Sequence, residues 1–311
     1  MPMATPAGPE DVQLNADRFP PTITRRMTVR HHTHYRYNPL VRLSHAVVML
    51  RPAEFTNQYI NSATLTVDPS PDALVDSVDP FGNVSTWVSV ERPHGSLTFE
   101  SMLDVTVTDP AYDAALGGPF SDAVDAARSA TNPLVRWLRL ASAAVPRMDA
   151  DGLGILQINP ETTLGEALWH LLDVFGDEFT FDPSSTVVST PVSEVLRQRR
   201  GVCQDFAHAA LVALRSAGLS ARYMSGYIET SPASGEPRLV GADASHAWVA
   251  VWSGNSWIEI DPTNRCFATY SHVRVAAGRD YHDVAPVRGV TIGVPHTETL
   301  ETSVDTVAIE A

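Results

Sequence analysis

Two hydrophobic periods divide the chain. From Met27 to about Thr108, short β-branched runs alternate with polar residues. Val29, Tyr35 and Tyr37 mark a first strand, Ala46 to Leu50 a second, and Leu65 with Val67 a third. Val84, Thr86, Val88 and Val90 alternate in a fourth; Leu97 and Phe99, then Leu103, Val105 and Val107, complete the set. Turn residues separate the runs at Asn38-Pro39, Asp68-Pro69-Ser70-Pro71, Asp79-Pro80-Phe81-Gly82-Asn83 and Pro93-His94-Gly95. This spacing predicts a small antiparallel β-sandwich.

After Gly117-Gly118-Pro119 the period becomes helical. Asn132 before Pro133 predicts an N-cap with Pro at N1, opening a helix through Trp137 and Leu140. Thr163 and Glu166 form a capping-box pair ahead of Leu164, Leu168, Leu171 and Phe175. Thr190-Pro191 opens a further helix that stops at Gly201, and the next runs from Cys203 to Ala217 before Gly218. Strands return at 220–229, 246–252, 256–261 and 270–276. Helices followed by strands indicate an α+β unit, and Val290, Ile292, Val304, Val307 and Ile309 suggest terminal strands. The expected organisation is a disordered tail over 1–24, a β-rich region over 25–115, and a linker with helical connection over 116–160. An α+β core over 161–285 and C-terminal strands over 286–311 follow.

Composition narrows the chemistry. Acidic residues outnumber basic ones 36 to 22, for a net charge of −14. That balance opposes nucleic acid or an anionic membrane as partner. All 22 basic residues are Arg, which excludes a catalytic, Schiff-base or P-loop Lys. No apolar run approaches a membrane span and the first residues lack the regions of a secretory signal, so the cytoplasm is the expected compartment. His31, His32 and His34 lack a following Cys or acidic cluster at ligand spacing, so no metal is expected there.

Cys203 follows Arg-Arg-Gly-Val at the start of a predicted helix, where free N–H groups stabilise a thiolate. Arg197, Arg199 and Arg200 add positive charge if the turn is tight. An inert buried thiol is the competing reading. His246 begins the strand His-Ala-Trp-Val-Ala-Val-Trp, and Ser-Gly-Asn-Ser turns into Trp-Ile-Glu-Ile-Asp-Pro. A two-residue turn at Gly254-Asn255 sets Trp248 opposite Asp261 and His246 diagonal to it on one face. A three-residue loop breaks that arrangement. Asp205 and His208 stand i,i+3 and are expected to pair behind the nucleophile. Cys266, five residues past Asp261, raises the question of a disulfide with Cys203; cytosolic reduction favours an incidental thiol.

Gly-Val-Cys-Gln-Asp-Phe-Ala-His (201–208), Ala-Arg-Tyr-Met-Ser-Gly-Tyr (221–227), Ser-His-Ala-Trp-Val (245–249) and Asp-Pro-Thr-Asn (261–264) together resemble the bacterial transglutaminase-like cysteine peptidase family. His-Thr-His-Tyr-Arg-Tyr and Asp-Pro-Phe-Gly-Asn are similar to the β-rich domain that accompanies its core. The resemblance implies a papain/transglutaminase-like core with Cys203 as nucleophile, His246 as base and Asp261 as orienting residue, and no cofactor. Oxyanion or supporting roles fall to Gln204, Trp169, Trp248, Asp205 and His208. The expected reaction is acyl transfer at a peptide or protein amide, with hydrolysis favoured. A protein-glutamine transglutaminase with an amine acceptor, or a non-catalytic scaffold, are the alternatives.

Overall fold

The computed structural model describes residues 23–149, 154–156, 158–159, 161–229, 245–293 and 297–309. The tail expected over 1–24 lies outside them except for its last two residues, and Thr24 already belongs to a strand.

Strands β1 (Thr24–Val41), β2 (Leu43–Val48), β3 (Gln58–Asp68), β4 (Ala73–Val78), β5 (Val84–Val90) and β6 (His94–Thr108) build two antiparallel sheets. The end of the chain completes them: β14 (Val287–Ile292) pairs with β2, and β15 (Thr297–Ala308) pairs with β1. The sheet orders are β15-β1-β6-β3 and β14-β2-β5-β4, so each C-terminal strand occupies an edge. Two expected runs are one strand in β6, because buried Ser101 continues the alternation between Phe99 and Leu103. Its hydroxyl donates to the Leu50 carbonyl at 2.7 Å, so a polar residue sits in the core fully satisfied. The turn expected at Asn38-Pro39 is instead a register shift within β1. β4 gave no sequence signal because it pairs only with β5 at an edge and buries no face.

Helices α1 (Asp113–Leu116), α2 (Phe120–Ser129) and α3 (Pro133–Trp137) lead to α4 (Leu164–Glu178). Asn132 caps α3 by accepting the Leu134 N–H at 2.9 Å. The Thr163–Glu166 box forms in both directions, at 3.2 and 2.8 Å. A parallel bridge of β7 (Thr180–Phe181) and β8 (Arg200–Gly201) flanks α5 (Val192–Gln198), and α6 (Cys203–Ser216) follows. α6 ends in a Schellman motif: Gly218 has φ +95°, its N–H donates to Arg215 and that of Leu219 to Leu214, both at 3.1 Å.

Strands β9 (Ala221–Ile228), β10 (Ser245–Trp252), β11 (Trp257–Asp261), β12 (Cys266–Phe267) and β13 (His272–Gly278) form one antiparallel sheet, ordered β12-β11-β10-β9-β13; α7 (Tyr281–Val284) follows β13. Its inner residues Tyr223, Val249, Val251, Ile258 and Ile260 share a core with α6, and Met27, Val29, Leu103 and Val105 of the sandwich enter that same core. Thus β1 and β6 serve the sandwich at one end and the α+β unit at the other.

β13 is an edge strand whose free backbone groups need partners. Buried Gln58 supplies one pair, donating to Arg274 O at 2.7 Å and accepting Arg274 N–H at 2.8 Å. Buried Asn83 repeats the exchange on Ala277 at 2.7 and 2.8 Å. Two side-chain amides from the sandwich therefore stand in for a missing strand. On β9, between β13 and β10, a Cβ at Gly226 would lie 2.0 Å from Val273 O and 2.7 Å from the Trp248 ring, whereas one at Gly117 meets nothing within 4 Å. Gly226→Ala is expected to lower stability by about 1–3 kcal/mol or more and Gly117→Ala to be near neutral; equal urea midpoints for the two would contradict this packing.

Candidate active site

Cys203 opens α6 after Val202, whose backbone is extended (φ −112°, ψ 179°). Buried Asp205 closes that first turn: its Oδ2 accepts the Val202 N–H at 2.9 Å and the Thr186 hydroxyl at 2.6 Å. The pair expected between Asp205 and His208 does not form. A carboxylate in the first turn reaches the unsatisfied N–H groups there, while His208 Nε2 accepts the Tyr281 N–H at 3.1 Å and its ring rests on Tyr223. Burial lowers the His208 pKa to about 4, so it is neutral. The nearby arginines are also committed elsewhere: Arg197 to Glu194, Arg199 to Glu178 and Arg200 to Asp182.

The β10–β11 hairpin has the register of the two-residue turn. Trp252 pairs with Trp257, Ser253 N–H donates to Ser256 O at 3.0 Å, and Gly254 takes φ +115°. That alignment brings His246 Nε2 to 2.7 Å from Asp261 Oδ2. The other ring nitrogen, Nδ1, makes no bond to Asp261, and Cys203 lies near enough to act on the charge of His246. Burial opposes charge on His246, yet the charge and hydrogen bond of Asp261, with the neighbouring Cys203, raise its pKa to about 10.

Asp261 is fully buried. Its Oδ1 accepts the N–H groups of Thr263 and Asn264 at 2.9 and 3.2 Å, and its Oδ2 also accepts Asn264 Nδ2 at 2.6 Å and His272 Nε2 at 3.1 Å. Against the cost of burial, the His246 charge and the donors hold this carboxyl far below the usual range. Sequence reasoning missed His272, which lies three strands from β11 in the sheet order and is delivered by the loop after Asp261. Its tautomer follows from its partners: Nδ1 accepts the Thr269 N–H at 3.2 Å, so Nε2 carries the proton given to Asp261. Burial keeps His272 below its ordinary pKa and neutral.

Residues 27–106 match the bacterial transglutaminase-like N-terminal region, and residues 156–262 match the transglutaminase-like superfamily. An uncharacterized protein of Mycobacterium tuberculosis is 36% identical over 295 residues, spanning 92% of this chain and 94% of the relative. The chain belongs to the bacterial transglutaminase-like family. A protein-glutamine gamma-glutamyltransferase of Pseudomonas aeruginosa is 32% identical over 145 residues, 43% of this chain and 21% of that protein. The fold is shared with a candidate cysteine protease from Cytophaga hutchinsonii, at TM-score 0.72, 16% identity and 93% coverage of both chains. Among the described residues no helix is long and apolar enough to cross a membrane.

The remaining residues singled out in sequence fall into two groups. Trp248 is fully buried and stacks under His246, with centroids 5.9 Å apart; its indole donates to Glu259 at 2.8 Å, and Glu259 pairs with buried Arg274 at 2.8 Å. Trp169 instead packs its ring against Phe267 at 4.8 Å, and the Gln204 amide donates to Val188 O at 3.2 Å. Cys266 is half-buried beside Asp261; both cysteines are free, and burial pushes its thiol up to about 12. His246, Asp261 and His272 present ligand atoms within 4.8 Å of one another, a donor set that can hold a divalent ion. Both Nε2 atoms are aimed at Asp261 Oδ2 itself, so hydrogen bonds already account for the cluster.

Because folding raises the His246 pKa from 6.5 to about 10, its stabilising contribution is complete below pH 6.5 and is lost as pH rises through 10. The urea-midpoint advantage of the wild type over His246→Gln is therefore expected to shrink steadily from pH 7 to about 10. A constant difference across that range would contradict the assignment.

Proposed function

We propose that this chain is a cysteine-dependent hydrolase of amide or isopeptide bonds in peptides or proteins, with Cys203 as nucleophile, His246 as acid–base and Asp261 as orienting residue. The observation that carries the reading is that His246, hydrogen bonded to the five-times-bonded Asp261, has the half-buried Cys203 as its neighbour. In the proposed reaction the Cys203 proton already rests on His246, as the raised pKa of His246 requires, and the thiolate Sγ adds to the carbonyl carbon. The backbone N–H of Cys203, at the start of α6, faces the oxyanion. His246 returns the proton to the departing amine as the C–N bond breaks, leaving an acyl-thioester. Water then adds, giving its proton to His246, and collapse frees the acid and restores the thiolate beside the protonated His246.

Asp261 stays ionised throughout and holds the ring so that Nδ1 faces sulfur. The half-buried setting of Cys203 supports water as the second nucleophile. A second reading, transfer of the acyl group to an amine, draws on the Pseudomonas aeruginosa glutamyltransferase that matches part of this chain.

A thiol-directed acylating probe is expected to label the wild type at Cys203 and to leave a folded Cys203→Ala variant unlabelled. His246→Ala is expected to slow labelling by about 10²–10⁴-fold; labelling at the wild-type rate would eliminate His246 as base. With an acyl donor and an added primary amine, release of free acid supports hydrolysis, and an amide as main product supports the transferase.

A further inference from the structure

On the outer face of the core sheet, behind Trp248, lies a cavity of about 510 Å³ that the proposed reaction does not use. Its floor is β9, β11 and β13, and its roof is the segment between β2 and β3 with residues 110–112 after β6. Arg222 stands in it. The guanidinium lies over the Trp257 ring at 4.3 Å and near the Phe55 ring at 5.9 Å. Its Nε is buried with no hydrogen-bond partner, and no ion pair to Arg222 occurs among the described residues. Glu259, two strands away across Ala250, attracts Arg222 through space but makes no hydrogen bond to it; its oxygens accept Arg274 Nε and the Trp248 indole. Arg222 and Arg274 therefore share the one buried carboxylate of this cavity, Glu259, and the other lining carboxylate, Glu54, is exposed to solvent. Desolvation lowers the Arg222 pKa to about 10, which still leaves it charged at neutral pH.

A half-buried cation without a hydrogen-bonded partner carries a desolvation cost that an incoming anion relieves. A guanidinium whose faces are stacked keeps its N–H edge free, and that edge matches a carboxylate. Trp252 and Trp257, whose rings already touch with centroids 5.3 Å apart, offer one apolar wall, while Asn57, Asn255 and Ser256 offer groups for an amide. The volume lies within the range of small-ligand sites.

We propose that this cavity binds a carboxylate carried on an aromatic, amide-bearing body, with Arg222 holding the carboxylate and the joined surface of Trp252 and Trp257 against the ring. Such chemistry is supplied by a free N-acylated aromatic amino acid or by the C-terminal residue of a peptide. The site goes beyond the acyl-transfer reading and does not depend on Cys203.

The test uses the full chain, titrated by calorimetry and by tryptophan fluorescence with N-acetyl-phenylalanine and with N-acetyl-phenylalaninamide, which lacks the carboxylate. The acid is expected to bind one to one and roughly tenfold or more tighter than the amide. Arg222→Met, which keeps an apolar stem on Trp257, is expected to abolish that preference, and Cys203→Ala to retain it. A parallel pair of pentapeptides ending in Phe, as free acid or amide, distinguishes the sources: binding of the acid peptide assigns the site to peptide C-termini, and binding of the small acid alone assigns it to free molecules. Equal binding of acid and amide by the wild type overturns the proposal whether or not Arg222→Met folds. So does absence of binding up to about 10 mM, an unchanged preference in a folded Arg222→Met variant, or loss of binding in Cys203→Ala.

Discussion

A carboxylate sealed away from water is stable only if its lone pairs are filled by donors, and Asp261 is the place where this chain meets that demand. Five hydrogen bonds converge on it from three parts of the chain: its own turn at Thr263 and Asn264, His246 on β10, and His272 on β13. Each donor depends on a separate structural decision. The turn donors need an Asp at the strand end, His246 needs the hairpin register, and His272 needs the loop after Asp261 to return across the sheet. Together they keep the charge fixed and leave only His246 as the group whose proton is free to move.

The layer beneath this network is as constrained as the network itself. Trp248 supports the His246 ring and is fixed by Glu259, which is fixed by Arg274. Removing one member of such a buried ion pair typically costs about 3–5 kcal/mol. Arg274 in turn exchanges backbone hydrogen bonds with Gln58 of the sandwich. The sandwich is thus joined to the site by a continuous path of satisfied polar groups, and its strands share the hydrophobic core of α6.

The lysine-free composition has a use in this setting. Arg274 and Arg215 are both buried, at 1% and 3% exposure. Arg215 spreads its guanidinium over the carbonyls of Ala221 and Arg279. A lysine so buried sheds its proton readily, while arginine keeps its charge and has enough donors to satisfy several acceptors.

Local chemistry was written in the sequence. The capping box of Thr163 and Glu166, the Asn132-Pro133 start, the Gly218 stop and the Gly254-Asn255 turn each involve residues within a few positions of one another. Their outcome depends on backbone geometry that neighbours dictate. From these followed the sandwich, the α+β core and the His246–Asp261 alignment, since a period of two lets a turn length decide which side chains share a face. Sequence spacing failed where a side chain had several partners within reach. Asp205 took the N–H and hydroxyl groups around its own helix start instead of His208, and the arginines before Cys203 took nearby carboxylates. It also had no access to contacts made by strand order. That His272 completes the Asp261 shell, that Gln58 and Asn83 cover the edge of β13, that the final strands return to the sandwich, and that Arg222 is left without a hydrogen-bonded partner in a cavity were decided only when distant segments packed. Hydrogen bonds and burial act through space, and the chain brings those atoms together only once it is folded.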